Sequence, residues 1–282
     1  MSTLMCIGDA VVDIFVQRQQ AFPGGNALNV GVYSTLFQGR PASFTGILGD
    51  DQYAAHILQT LEEVGVEAQG VRRACGPTGK AWVRIAEDGD RIFIGGNKGG
   101  VQNTLRLRLT DEDKQRVAEC GAVHTSVYSN LDKDLPELAA AAEVSYDFSS
   151  APPLQDVSPL APWITTGFFS ADGMPEGQAV EYGRQLLESG MKTVVMTSGA
   201  KGSWAMTAED GLLRQGIVQT EVVDTLGAGD SFISGFLAAR DQMEPLQAAL
   251  QRAAESGARG CSLPGAFGHP LLTSELVPES PR

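Results

Sequence analysis

The chain has 282 residues, of which 43% are hydrophobic and 20% charged, a composition typical of a soluble globular protein with one large core. Its formal net charge of −13 argues against a general nucleic-acid binder, because phosphate contacts require basic patches. No apolar run reaches membrane-spanning length, and Asp9 and Asp13 interrupt the N-terminal run, unlike in a signal peptide. We therefore expect a cytoplasmic protein with neither nucleic-acid nor membrane partners. Its dispersed cysteines predict neither disulfides nor a metal cluster.

Short apolar runs alternate with helical patterns along the chain. "LMCIG" and "ASFTGILG" predict strands on either side of a helix, "NALNVGVYSTLFQ", in which Leu28, Val32 and Leu36 recur four residues apart. A second helix, "QYAAHILQTLEEVGV", is expected to end near Gly65. Further strands follow in "AVHTSV", "VSYDFS", "WITTGF" and "TVVMTSG", with the helix "GQAVEYGRQLLESG" before the last. This order predicts an α/β fold, a three-layer α/β/α sandwich with a mainly parallel central sheet, whose ligands lie at the carboxyl ends of the strands.

One segment departs from this order. Gly79–Gly96 contains two alternating runs around a Glu-Asp-Gly-Asp turn, which predicts a β-hairpin. A lone hairpin is marginally stable, so we expect residues 12–22 to pair beside it as a small β lid on a single domain that spans 1–282. The alternative is a hairpin that lies on the main domain. If the apolar faces of the hairpin are exposed, they indicate a homodimer formed through the lid; otherwise they are core. The residues concerned are Trp82, Ile92 and Ile94.

The stretch "VVDTLGAGDSFISGFLAA" places an acid directly behind a Gly-Ala-Gly turn, at the start of a predicted helix. The first amides of a helix bind anions, and glycine lets a ligand approach the backbone. The helix dipole favours an ionised Asp230, which could accept a proton while the amides hold a transferred phosphoryl group. The alternative is a helix cap after a glycine turn. A dinucleotide loop is disfavoured, because Phe232 stands where the third glycine belongs.

The same stretch resembles the second signature of the PfkB, or ribokinase-like, family of carbohydrate kinases. "CIGDAVVDI", "PGGNALNVGV", "GILGDDQYAAHILQTLEEVGV" and "TVVMTSGAKGSW" resemble other segments of that family in the expected order. The resemblance covers about residues 4 to 268. It implies a ribokinase-like fold and transfer of the ATP γ-phosphoryl group to a small hydroxylated substrate. ATP and Mg²⁺ are the implied cofactors, with K⁺ as a further candidate.

The resemblance also implies roles for individual residues. The base and the anion hole are Asp230, Gly227, Ala228 and Gly229. The sugar pocket contains Asp9, Asp13, Gly25 and Asn29. The nucleotide contacts Thr197, Gly199, Gly202, Ala254 and Gly257. A monovalent-cation site involves Asp224 and Thr225. Each residue also has a structural alternative, such as a turn cap for Asp9, a solvent-facing helix position for Asn29 and close helix packing for Ala254 and Gly257.

Two departures from the family pattern matter. Ser170 and Gly173 stand where many members carry the Asn and Glu of an Asn-x-x-Glu motif, so Asp172, Glu176 or water would have to serve the metal. The short connection between Gly8 and Gly24 is most similar to the branch that phosphorylates the 6-hydroxyl of fructoselysine. In that interpretation Asp147 is a pocket candidate. The candidates to meet a substrate carboxylate, or else solvated lid residues, are Arg84, Asn97 and Lys98.

Other functions stay open at this point. The acceptor could instead be ribose, fructose, 2-keto-3-deoxygluconate or a nucleoside. A non-catalytic sugar- or nucleotide-binding regulator could also use this fold, although a binder has no need of the Gly-Ala-Gly-Asp base. A dehydrogenase with a degenerate dinucleotide loop is the weakest alternative.

Overall fold

A computed structural model describes residues 1–85 and 91–274, so the predicted Glu-Asp-Gly-Asp turn lies outside the described residues. The strands are β1 Leu4–Ile7, β2 Val11–Phe15, β3 Gln20–Gly24, β4 Ala42–Thr45, β5 Ile47–Leu48, β6 Arg72–Arg73, β7 Gly79–Ile85, β8 Arg91–Gly96, β9 Ala122–Ser126, β10 Glu143–Ser150, β11 Thr166–Ser170, β12 Thr193–Thr197, β13 Ser203–Thr207, β14 Gly211–Gln215 and β15 Leu271–Leu272. The helices are α1 Asn26–Gln38, α2 Gln52–Val64, α3 Val101–Thr104, α4 Asp111–Cys120, α5 Leu135–Ala141, α6 Leu154–Val157, α7 Glu176–Glu188, α8 Ala228–Asp241 and α9 Leu246–Gly260.

The central sheet has eight strands in the order β14-β13-β12-β11-β10-β9-β1-β4. The six neighbouring strands β12, β11, β10, β9, β1 and β4 are parallel. Strand β13 pairs with β12, and β14 with β13, in antiparallel orientation. One hydrophobic cluster joins the sheet to α1, α2, α8 and α9, and another joins its opposite face to α4, α5 and α7. Because both faces are covered, strands such as β12 are continuously apolar and buried rather than alternating. The predicted three-layer sandwich is confirmed.

Helix α1 is buried almost all round through its first two turns, since it packs between β1 and α8. Leu28 and Val32 lie in the core as the four-residue spacing predicts, but Leu36 is 40% exposed. The helix ends at Gly39, whose φ of 60° closes the last turn through its backbone N–H. The four-residue spacing of apolar residues therefore identifies core positions only where the helix crosses the sheet.

The second sheet has five strands in the order β15-β3-β2-β7-β8. Strand β2 pairs with β3 in antiparallel and with β7 in parallel orientation, so residues 12–22 lie beside the hairpin as predicted. The C-terminal strand β15, which we did not predict, adds to the edge of β3. The description of this sheet as a lid on a single domain stays a prediction.

The hairpin residues fall into two groups. Trp82 is 6% exposed and belongs to the core, which is one of the two alternatives left open by the sequence. On the edge strand β8, in contrast, Ile92, Phe93 and Ile94 are 40%, 60% and 37% exposed. Among the described residues, no helix is both long and apolar enough to span a bilayer.

Candidate active site

A cavity of about 600 Å³ lies at the carboxyl ends of the central strands, between the sheet, α8 and α9. It brings together residues that the sequence places far apart. Those predicted for the base, the anion hole, the cation site and the nucleotide are Asp230, Gly227, Ala228, Gly229, Thr225, Thr197, Gly199, Gly202, Ala254 and Gly257. Asp147 lines the same cavity. A second cavity, of about 230 Å³, lies at the amino ends of the central strands and contains none of the predicted residues.

The N-terminus of α8 opens into this cavity. Gly227 precedes the helix with φ of 76°, and a Cβ there would lie 2.4 Å from the Tyr33 hydroxyl oxygen, so only glycine fits. The Ala228 amide donates to the Thr225 carbonyl at 3.2 Å. The amides of Gly229 and Asp230 have no acceptor within the described part of the chain. Two backbone donors and the positive end of the helix dipole therefore remain for an anion.

The Asp230 carboxylate is held by two amides of α1. Its Oδ2 accepts a hydrogen bond from Asn29 Nδ2 at 2.7 Å, and its Oδ1 accepts one from Asn26 Nδ2 at 3.1 Å. Asn26 and Asn29 stand three residues apart and therefore on one face of the helix. Sequence reasoning found Asn29 but missed Asn26. The signal available was a second Asn, one turn earlier, in the otherwise apolar first half of the helix.

The prediction of a readily ionised Asp230 was based on the helix dipole alone and is corrected by the surroundings. Burial raises the pKa of Asp230 well above its ordinary value, and the hydrogen bond from Asn29 lowers it. The carboxylates of Asp147, Asp9 and Asp13 raise the pKa further, because like charges disfavour ionisation. Asp230 therefore holds its proton more tightly than an ordinary Asp.

Asp147 is a second buried acid of the site and lies within β10, where it pairs with the last residue of β9. Burial raises its pKa to about 6, against the hydrogen bonds that lower it and with a further increase from Asp9. Its Oδ1 accepts a hydrogen bond from the Ser149 amide at 2.8 Å, and its Oδ2 accepts one from Asn26 Nδ2. Asp147 therefore changes charge within the range of pH in which enzymes are assayed.

Asp9, which follows β1, caps the N-terminus of helix α1 although it lies 17 residues before the helix. Its Oδ2 accepts the Asn26 amide at 2.7 Å, and its Oδ1 accepts the Ala27 amide at 3.3 Å and the Ser126 hydroxyl at 2.9 Å. Gly25 permits this approach: its φ is 111°, and a Cβ there would lie 2.7 Å from the Asp9 carbonyl oxygen. The turn-capping alternative for Asp9 thus describes its contacts, and its role towards sugar hydroxyls stays a prediction.

Asp13 lies on β2 and is 6% exposed. It is paired with Ala81 across β2 and β7, and the two side chains therefore share one face of the second sheet. Its charge acts on Asp230, so this face of the sheet is turned towards the base. The position fits the predicted sugar pocket.

The three residues proposed for a substrate carboxylate do not line the cavity. Arg84 is three positions beyond Ala81 on β7, so alternation places it on the face opposite Asp13. The Asn97 side chain is committed to the backbone, since its Oδ1 accepts the Lys80 amide and its Nδ2 donates to the Thr78 carbonyl, both at 2.7 Å. Lys98 is exposed in a left-handed turn with φ of 58°. The structure thus brings none of them to Asp230.

The structure distinguishes the two acids proposed in place of the Asn-x-x-Glu motif. Ser170 and Asp172 both line the cavity. Glu176 instead pairs with Arg214 at 2.7 Å on the protein surface. Asp172 is therefore the better candidate for a metal-bound nucleotide.

Asp224, proposed for a monovalent cation, joins two loops. Its Oδ1 accepts the Leu226 amide at 3.0 Å and its Oδ2 accepts the Gly265 amide at 3.1 Å. It therefore holds the turn before α8 against the segment after α9. Its role in cation binding stays a prediction.

The loop after β14 also lines the cavity and escaped the sequence reasoning. Residues 216–220 follow the edge strand and, together with Val222, line the cavity that α9 also borders. Ile217 and Val222 are 46% and 61% exposed. Apolar residues beyond an edge strand were the available signal. Exposed aliphatic side chains beside small residues of α9 suit the faces of a flat heterocycle.

Solved structures share this fold. Ribokinase of Arabidopsis thaliana, solved with ribose and ATP, superposes with a TM-score of 0.81 over 94% of both chains at 24% identity. A protein of Escherichia coli described as ribokinase II, solved with ATP and Mg²⁺, gives a TM-score of 0.79 over 95% of both chains at 20% identity. These structures show that the chain has a ribokinase-like fold.

Sequence comparison identifies the family. The model of the pfkB family carbohydrate kinases matches residues 3–267, and the chain belongs to that family. The fructosamine kinase FrlD of Bacillus subtilis is 41% identical over 266 residues, which cover 94% of this chain and 93% of that protein. The fructoselysine 6-kinase of Escherichia coli is 34% identical over 238 residues, which cover 84% of this chain and 88% of that protein.

Proposed function

We propose that the protein transfers the γ-phosphoryl group of ATP to the 6-hydroxyl of fructoselysine or a related fructosamine. The observation that carries the reaction is the position of Asp230, beside free amides of α8 in a cavity lined by the predicted nucleotide residues. The acceptor class is supported by the similarity to fructosamine and fructoselysine kinases over most of the chain.

The geometry supports an in-line transfer. The primary hydroxyl approaches Asp230 from the side of Asp13 and donates its proton to the carboxylate as its oxygen attacks the γ-phosphorus. The amides of Gly229 and Asp230 hold the negative charge on the transferring group. The ADP oxygen leaves towards Gly199 and Gly202. Closure of the second sheet over the sugar would exclude water from this step.

The cavity is suited to a metal-bound nucleotide. Gly199 and Gly202 have positive φ. A Cβ on Gly199 would lie 3.5 Å from an Asp172 carboxylate oxygen, and one on Gly202 would lie 2.4 Å from the Gln215 carbonyl oxygen. Asp172 is the side chain that would face Mg²⁺, which usually takes one or two carboxylates together with phosphate oxygens and water. When bound, the ion would offset phosphate charge. K⁺ near Asp224 and Thr225 and a cytoplasmic location remain parts of the proposal.

An acceptor panel tests the function. ATP consumption with Mg²⁺ and K⁺ is measured with fructoselysine, fructose, ribose, 2-keto-3-deoxygluconate and adenosine. We expect kcat/KM to be highest for fructoselysine. Preference for another sugar would replace the acceptor while retaining the kinase. Absence of turnover with all of them, together with tight binding of a sugar or of ATP, would favour the non-catalytic regulator.

The exposed strand β8 supports a homodimer formed through the second sheet. Ile92, Phe93 and Ile94 project from an edge strand, which presents both apolar side chains and unpaired backbone groups to a second copy. We expect Phe93→Glu to convert a dimer to a monomer in sedimentation equilibrium, whereas Leu272→Glu, on the other edge, leaves the mass unchanged. A wild-type chain that is monomeric at assay concentrations would contradict this prediction.

A further inference from the structure

Asn26 occupies a central position among the acids of the site. Its Nδ2 donates one hydrogen bond to Asp147 and one, at 3.1 Å, to Asp230, while its backbone amide donates to Asp9 at 2.7 Å. One residue thus contacts three carboxylates that come from three separate parts of the chain. Asn29 donates to the other oxygen of Asp230 at 2.7 Å, so each oxygen of that carboxylate has one amide donor.

The other groups around Asp230 oppose its charge. Asp147 faces it from β10, Asp9 from the turn after β1 and Asp13 from β2. The Tyr33 phenol on α1 faces it as a neutral group, because burial and then the charge of Asp230 raise its pKa. The charge of Asp224 also raises the pKa of Tyr33, by less than that of Asp230. The two amides of α1 are therefore the contacts that favour an ionised, oriented Asp230.

We propose that Asn26 is a positioning residue for phosphoryl transfer: its amide joins Asp147 to Asp230 and fixes the orientation of the base. The proposal rests on the proposed role of Asp230 as general base. It also gives Asp147 a function, since Asp147 and Asp230 accept hydrogen bonds from the same amide nitrogen and Asp147 therefore influences the base. Asn29 donates to the second oxygen of Asp230, so that Asn26 and Asn29 together provide one donor for each oxygen of that carboxylate.

The chemistry of the side chain supports this assignment. A primary amide presents two hydrogens on one nitrogen, which allows a single atom to serve two carboxylates. Serine offers one hydrogen, and aspartate would add a further negative charge. The Oδ1 of Asn26 is buried without a hydrogen-bond partner among the described residues. Rotation of the amide would point this oxygen at both carboxylates, so the observed orientation is the favourable one.

Two substitutions should move the pH dependence in opposite directions. Asn26→Ala removes a donor to the charged form of Asp230, so the acid limb of kcat/KM should move to higher pH. Loss of a charge-assisted hydrogen bond predicts about tenfold lower kcat/KM on the acid limb. Asp147→Asn removes a like charge, so the acid limb should move to lower pH. A merely structural role for Asn26 would lower activity at all pH values equally.

The controls follow from the same contacts. Alanine retains the backbone amide that donates to Asp9, so the cap of α1 persists and thermal unfolding should change little. Asn26→Ser, which keeps one donor, should give an intermediate displacement even if the alanine variant is poorly folded. Asn103→Ala, at an exposed position of α3, should leave the pH profile unchanged.

The outcomes separate this proposal from the proposed function. Wild-type turnover of fructoselysine that is lost in Asp230→Asn establishes the base. If the acid limb then stays in place in Asn26→Ala and Asn26→Ser, or moves in the same direction in Asp147→Asn, the positioning role is overturned. If Asp230→Asn retains turnover, the general-base assignment fails and the role of Asn26 fails with it.

Discussion

Asp230→Asn is expected to lower kcat by about 10²–10⁴-fold, the usual contribution of a positioned general base. The amide has nearly the same shape as the carboxylate, and its NH₂ group can donate to the Oδ1 of Asn29 once the Asn29 amide rotates. It cannot, however, accept the proton of the sugar hydroxyl. Binding of ATP and sugar should persist. The measurement is ATP turnover with fructoselysine at saturating concentrations of both substrates.

A second readout of the same variant concerns stability. The pKa of Asp230 is raised in the folded protein, so ionisation costs folding free energy as pH rises through its folded pKa. The neutral amide avoids this cost, and the variant should unfold at a temperature equal to or higher than that of the wild type at pH 8. Asp111→Asn, at an exposed position of α4, is the matched control. A decrease in kcat of less than tenfold would remove Asp230 from the role of base.

Gly227→Ala and Gly229→Ala should have opposite effects on stability although the two glycines flank the same residue. At Gly227 the backbone φ is 76°, and a Cβ would meet the Tyr33 hydroxyl at 2.4 Å. Tyr33 is buried and donates to the Ala266 carbonyl, so it has little room to move. The strained backbone alone costs about 1–2 kcal/mol, and the contact adds to it. Gly227→Ala should therefore lower both the Tm and the turnover.

At Gly229 no atom lies within 4 Å of the position of a Cβ, and φ is not in the left-handed region. Alanine within a helix is favoured over glycine by about 0.8–1 kcal/mol, so the Tm should hold or rise slightly. The methyl group would nevertheless stand beside the amides proposed for the phosphoryl group. We expect about tenfold lower kcat/KM for ATP, comparable to the loss of one hydrogen bond to a charged group. Unchanged kinetics of Gly229→Ala would place the phosphoryl group elsewhere.

The buried acids that the proposed reaction requires also lower the stability of the folded protein. The charges of Asp147, Asp9 and Asp13 act on Asp230, and burial raises the pKa of both Asp147 and Asp230. Such a cluster costs folding free energy at neutral pH. Amide donors from α1 and a polar substrate that donates hydrogen bonds both reduce this cost. The ligand-free enzyme is therefore expected to gain stability when it binds sugar.

Local patterns determined a large part of this protein. The alternation of short apolar runs such as "TVVMTSG" with helical patterns predicted a mainly parallel sheet, because crossover helices between parallel strands cover both faces of the sheet. The Gly-Ala-Gly turn before Asp230 predicted an anion site, because the free amides at a helix start are a property of a few adjacent residues. Such features depend on residues within one or two turns of each other, so sequence alone sufficed.

The tertiary structure decided what depends on distant residues. Asn26 and Asp230 are 204 positions apart and meet only because α1 packs against α8. The raised pKa of Asp230 arises first from burial and then from acids on three other segments, which no local pattern could report. Arg84 faces away from Asp13 because the register of β2 and β7 sets which side chains share a face. Register, burial and charge proximity are properties of the packed chain, and they determined how the predicted residues are arranged.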